Sequence, residues 1–100
     1  MIYSLVMRLL GKSIVEAFKR KHAQSRKPLD MWTRLVESTD FGSLVELRKT
    51  FPSADQVGVK TVFNIGGNKY RCIVIVTYSI RQMVVTHVLT HEEYDAGGWK

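Results

Sequence analysis

Three side chains in the second half of the sequence have the chemistry to act on a phosphate: Arg71, His91 and Tyr94. Arg71 stands in an otherwise apolar run, Tyr70-Arg71-Cys72-Ile73-Val74-Ile75-Val76. A guanidinium in such a place needs a partner, because burying an unpaired charge is costly. Two arrangements answer that need. One is a bidentate clamp on a phosphate, which also offsets charge in a transition state; the other is an ion pair with Glu92, Glu93 or Asp95. His91 and Tyr94 are three residues apart in the polar string Thr90-His91-Glu92-Glu93-Tyr94-Asp95, so one helical turn would bring both rings to one cleft. Imidazole is the natural acid or base near neutral pH, and a phenol donates a hydrogen bond or relays a proton. The same string also fits a loop capped by His91 with Tyr94 packed on a sheet.

Other residue types are less informative. His87 shares a strand phase with Met83, Val85 and Leu89 and reads as a core residue, while His22 reads as solvated within a basic run. No metal-ligand spacing is present and no metal or cofactor is expected. No nucleophile elbow supports a Ser–His–Asp arrangement. The one cysteine, Cys72, excludes a disulfide framework, reads as a small buried hydrophobe and fits a reducing cytoplasm.

The chain has 100 residues, one domain's worth, and a formal net charge of +6. That balance favours a polyanionic partner such as nucleic acid, an anionic membrane or an acidic protein; a soluble basic surface without a partner is the plain alternative. Most of the surplus lies in Lys19-Arg20-Lys21-His22-Ala23-Gln24-Ser25-Arg26-Lys27. Residues 1–10 are apolar but too short to span a bilayer and lack the marks of a secretory signal, so they read as a first strand. Met7 is an alternative start, which would make residues 1–6 an extension.

The elements that must position the three residues follow from periodicity and breakers. A strand is expected over 4–10. Ser13-Ile14-Val15-Glu16 has the form of a capping box and opens a helix over 13–23. Pro28 suits the first turn of a second helix, 28–39, whose Met31, Trp32, Leu35 and Val36 recur at helical spacing. Ser43-Leu44-Val45-Glu46 is a second capping box, for one or two turns that Phe51-Pro52 ends, and a loop follows. Strands are expected at 58–65, 68–78 and 82–89, the first two joined by a two-residue Gly66-Gly67 turn.

Alternation then gives the sheet two unlike faces. Tyr70, Cys72, Val74 and Val76 take the helix-covered face. Lys69, Arg71, Ile73, Ile75 and Thr77 take the open one, joined by Lys60 and Asn64. On the last strand Met83, Val85, His87 and Leu89 read as core, with Gln82, Val84, Thr86 and Val88 open.

The words Phe51-Pro52-Ser53, Phe63-Asn64-Ile65, Gly67-Asn68, Arg71, Thr90-His91 and Glu93-Tyr94-Asp95 occur in an order that resembles the HigB family of toxins from bacterial type II toxin–antitoxin modules, a branch of the RelE/ParE superfamily. The resemblance covers about residues 7–95. It implies a compact α+β fold, with two N-terminal helices on one face of a three- to four-stranded antiparallel sheet and an open concave face opposite. It also implies a cytoplasmic, metal-independent endoribonuclease that cuts mRNA on the ribosome. Such a toxin is silenced by a helix-turn-helix antitoxin and meets operator DNA only through it. By position, Arg71 would hold the scissile phosphate and His91 and Tyr94 would transfer protons. Lys60, Asn64, Asn68 and Lys69 would line the RNA path, with Arg81 as a further contact. The resemblance places an arginine where this chain has Thr86, and its absence implies slower catalysis, compensation by Arg81 or a weakened toxin. Gyrase-directed toxins of the same fold and non-catalytic nucleic-acid-binding modules are the competing classes.

Overall fold

The β1 strand, Arg8–Leu10, enters the sheet and ends at Gly11, and its geometry decides where the first helix begins. Gly11 has φ +81°, the left-handed region, and a Cβ there would sit 2.6 Å from the Val85 carbonyl oxygen. Only glycine turns the chain so tightly against the sheet. In this computed structural model, which describes residues 6–100, α1 therefore runs Lys12–Lys21 with no side-chain cap. Ser13 falls inside its first turn, so the expected capping box does not form. Residues 4 and 5 of the expected first strand lie outside the described residues.

The α2 helix, Arg26–Ser38, holds Pro28 in its first turn as expected and buries Leu29, Trp32 and Val36. The short α3 helix, Leu44–Thr50, is capped by Ser43, whose hydroxyl accepts from the Glu46 N–H at 3.2 Å. The Glu46 carboxylate accepts from the Gly42 N–H instead of closing the box on Ser43.

Five strands follow the order β1-β5-β4-β3-β2, with β2 at Asp55–Val57, β3 at Lys60–Ile65, β4 at Tyr70–Thr77 and β5 at Gln82–Thr90. The sheet is mixed, not antiparallel throughout: β1 lies parallel to β5, with Arg8 opposite Gln82. That pairing joins segments over seventy residues apart, which no local pattern signals. The β2 strand was expected to be loop, because three residues are too few to show alternation. The β3–β4 connection is also longer than the two residues expected. Ile65 pairs with Tyr70, so Gly66, Gly67, Asn68 and Lys69 all belong to the turn.

The α+β layering is as the sequence implies. Phe63, Tyr70, Cys72, Val74, Met83 and Val85 pack beneath Val15, Phe18, Leu29, Trp32 and Val36. Full burial of side chains of this size contributes about 1.5–3 kcal/mol each. Burial pushes the Cys72 thiol up, which removes it as a nucleophile.

The last strand departs from simple alternation. Ile73 pairs with His87 but Val74 pairs with Val85, so Thr86 is an extra residue, a β-bulge. Beyond it the phase reverses: Val88 enters the main core, and His87 and Leu89 turn to the other face, where Leu89 packs with Ile73 and Val62. The expectation that His87 and Leu89 are core-side and Val88 open is thus reversed.

The conformation at Gly11 predicts a stability defect. Gly11→Ala should cost about 2 kcal/mol or more, the scale of forcing a side chain into the left-handed region, with the Val85 contact adding to it. Urea unfolding checks this; an unchanged midpoint would show that the turn relaxes.

Candidate active site around Arg71

Arg71 enters the far face of the sheet near the start of β4, opposite α1 and α2, as alternation requires. That face is not left open there. A fourth helix, α4 at His91–Ala96, folds back over it, and the residue after Gly97-Gly98, Trp99, packs on Val62 and Ile73. Arg71 is accordingly only 7% exposed.

Its donors are met by neutral acceptors. Nη1 donates to the carbonyls of Tyr70 at 3.1 Å and Asn68 at 3.3 Å. Nη2 donates to Asn68 Oδ1 at 2.6 Å and to His91 Nδ1 at 3.1 Å. The guanidinium carbon lies 5.3 Å from the centre of the Tyr94 ring, a cation–π contact. No carboxylate among the described residues pairs with it. The acids that could have done so are engaged or exposed: Glu93 closes a cap on Thr90, Asp95 meets His91, and Glu92 faces solvent.

The His91 proton can be located by donor arithmetic. A guanidinium only donates, so Nδ1 must accept, and the neutral ring carries its proton on Nε2. Nε2 lies 3.1 Å from Asp95 Oδ2, one turn on, and donates to it. The helix bearing these residues is set by a capping box: the Thr90 hydroxyl accepts from the Glu93 N–H at 3.2 Å, and the Glu93 carboxylate accepts from the Thr90 N–H at 2.9 Å. The latter bond is the main cause of a Glu93 pKa held below the ordinary carboxylate range. The His91 N–H donates to the Lys69 carbonyl at 2.9 Å, tying α4 to the β3–β4 turn.

The structure thus brings Arg71, His91 and Tyr94 together and adds Asn68 as a direct partner of Arg71. Lys69 contributes its carbonyl while its side chain is exposed, and Asn64 is exposed beside Arg71 in register. Lys60 shares that face, with its ammonium donating to the Trp99 carbonyl at 2.6 Å. Arg81 is not part of this group. It lies in the turn at the opposite end of β4, where its Nε donates to Asp40 and Nη1 to the Tyr78 carbonyl at 2.6 Å. Thr86 uses its hydroxyl within the bulge, donating to the Ile73 carbonyl at 3.2 Å and standing 3.1 Å from His87 Nδ1. Among the described residues, no set of three metal-ligating side chains converges and no helix is long and apolar enough to cross a membrane. Two features escaped the sequence reading. The Thr-x-x-Glu cap at Thr90 is a standard helix-start signature that was legible; Trp99 carried no signal beyond an aromatic after two glycines.

Comparison with known proteins agrees with the residue order noted above. The profile of a family described as "HigB_toxin, RelE-like toxic component of a toxin-antitoxin system" matches residues 25–97. A protein of Escherichia coli O6:H1 named "mRNA interferase HigB" is 29% identical over 92 residues, 89% of each chain. "mRNA interferase toxin HigB" of Escherichia coli K12 is 27% identical over 89% of this chain and 88% of its own. A Shigella flexneri protein named "mRNA interferase HigB" is similar to the same degree, 27%.

The cap carries a pH dependence. Because folding lowers the Glu93 pKa, its ionised form stabilises the fold fully above the ordinary value of 4.5, and that contribution is lost as pH falls through the folded value. Thr90→Ala, which removes only the hydroxyl, should cost about 1 kcal/mol at neutral pH. Glu93→Gln, which removes the carboxylate that accepts from the Thr90 N–H, should flatten this acid limb. Thermal unfolding between pH 3 and 7 measures both; parallel wild-type and Glu93→Gln curves would count against the cap.

Proposed function

This chain belongs to the HigB family of RelE-like toxins, and from that premise we propose that it is an mRNA endoribonuclease that inhibits translation and is neutralised by a cognate antitoxin. The observation that carries the reading is a buried guanidinium with no carboxylate partner, flanked by an imidazole and a phenol. A fixed cation satisfied only by neutral acceptors, in a water-poor site, has a strong field available for an incoming anion. An RNA phosphate is that anion, and the relatives named as mRNA interferases supply the substrate class.

In the proposed reaction the RNA provides the nucleophile. Its 2′-oxygen attacks the adjacent phosphorus, the bond from phosphorus to the 5′-oxygen breaks, and the products are a 2′,3′-cyclic phosphate and a 5′-hydroxyl. Arg71 turns Nη2 from His91 to the phosphate and offsets the charge that builds on its oxygens. That shift frees the lone pair on His91 Nδ1, which takes the 2′-hydroxyl proton while Asp95 holds the ring through Nε2. The Tyr94 hydroxyl gives a proton to the departing 5′-oxygen and is restored from solvent. No step requires a metal. Asn64, Asn68, Lys60 and Lys69 guide the strand; Arg81, held by Asp40 away from Arg71, is left out of this path. The ribosome presents the message, a helix-turn-helix antitoxin with an acidic segment covers the basic surface, and the protein acts in the cytoplasm.

Purified protein should cut ribosome-bound message in EDTA and leave cyclic phosphate ends. Arg71→Ala should lose on the order of 10²–10³ in rate, the scale of losing one charge-stabilising donor. His91→Gln should lose about 10² or more, and Tyr94→Phe should slow cleavage while keeping the ring. Full activity in all three variants would overturn the assignment. Absence of cleavage together with inhibition of DNA gyrase would move the chain to the gyrase-directed class.

A further inference from the structure

Trp99 lies just past residues 25–97, the stretch that the family profile matches. It is nonetheless 4% exposed. Its indole stacks on the Tyr94 ring with centroids 4.9 Å apart and planes 12° from parallel. Its Nε1–H donates to the Tyr94 carbonyl at 2.8 Å, and its own carbonyl accepts from the Lys60 ammonium at 2.6 Å. Beneath it are Val62 and Ile73. Tyr94 in turn lies beside the Arg71 guanidinium.

We propose that Trp99 is a positioning residue for the reaction, one that fixes the Tyr94 phenol against Arg71 and anchors Lys60 on the substrate face. The physical need is clear from α4 itself. A helix of six residues has too few internal hydrogen bonds to hold itself in water. It must be secured at both ends by tertiary contacts. The Thr90 cap and the Lys69 carbonyl secure its start. At its end the chain turns at Gly97, and Trp99 returns to bond the Tyr94 backbone and cover its ring. Cations attend both stacked rings: the Lys60 and Lys100 ammonium groups each lie 5.8 Å from the Trp99 ring centre, and the Arg71 guanidinium lies 5.3 Å from that of Tyr94. Loss of the indole removes both a stacking partner and a backbone hydrogen bond from the residue assigned to proton donation. Displacement of a reacting group by about 1 Å costs on the order of 10² in rate. A Trp99 that merely filled space would instead change stability and leave the rate of the folded fraction as it was.

The inference rests on the proposed role of Tyr94, so its test has one arm without RNA. In that arm, ring signals of Tyr94 are followed by NMR in wild type, Trp99→Leu and Trp99→Phe. The stacked indole should shift them in wild type, and Trp99→Leu should return them towards free-tyrosine values. In the second arm, single-turnover cleavage of ribosome-bound message is measured on folded protein. Trp99→Leu should lower kcat about 100-fold with KM within about threefold. Trp99→Phe, which keeps a ring but not the donor, should lose only about three- to tenfold. Unmoved Tyr94 signals, or a kcat for Trp99→Leu within threefold of wild type, overturn the proposal. If Trp99→Leu does not fold, a wild-type kcat and wild-type Tyr94 signals in Trp99→Phe overturn it instead. Wild-type protein that cuts no RNA while Tyr94 responds as expected would defeat the ribonuclease reading and leave the positioning of Tyr94 standing.

Discussion

A single buried guanidinium organises this protein. Arg71 is held on the far face of the sheet by carbonyls, an amide oxygen, an imidazole nitrogen and an aromatic face, with no carboxylate among the described residues to neutralise it. A full ion pair would have satisfied it more simply and cancelled its field. Neutral acceptors order the side chain, since hydrogen bonds to a charged group are each worth about 1.5–3 kcal/mol, while leaving its charge available. The turn after β3 and the start of α4 both adopt positions that supply those acceptors, so Arg71 shapes its surroundings as much as they shape it. The nearby acids serve elsewhere: Glu93 caps α4 and Asp95 orients His91.

The second constraint is the extra residue at Thr86. A strand that alternated without interruption would leave Leu89 under the helices and Val88 on the far face. The bulge reverses the phase after Thr86, and the hydroxyl of that same residue bonds the Ile73 carbonyl across the irregularity. Leu89 then joins Val62, Ile73 and Trp99 in a small second core, the platform on which α4 rests. Thr86 thus has a local structural use of its own. The half-buried His87 on this face is a further consequence.

Much of the site was legible because the signals are local. Arg71 among apolar residues, its phase opposite Cys72 and Val74, and the spacing of His91 and Tyr94 all follow from the periods of strand and helix. Asn68 was named for its motif, but its bonds to Arg71 depend on the turn being four residues long, which two adjacent glycines do not reveal. Arg81 joins the expected contacts only as a substitute for an arginine at Thr86; Asp40, distant in sequence, holds it at the other end of the strand.

By itself the sequence determined the α+β class, the layer of helices over one face, the burial of Cys72, the family and three residues, Arg71, His91 and Tyr94, that the fold brings together. Those properties depend on hydrophobic period and residue order, both written within short windows. Tertiary structure alone decided the parallel pairing of β1 with β5, the bulge at Thr86 and the closing of the far face by α4 and Trp99. Each of these is a choice among pairings of distant segments that local propensity leaves nearly equal. The balance is tipped by burial of one particular surface against another, Trp99 on Val62 and Ile73 or Gly11 against Val85, and that energy exists only once the chain has folded.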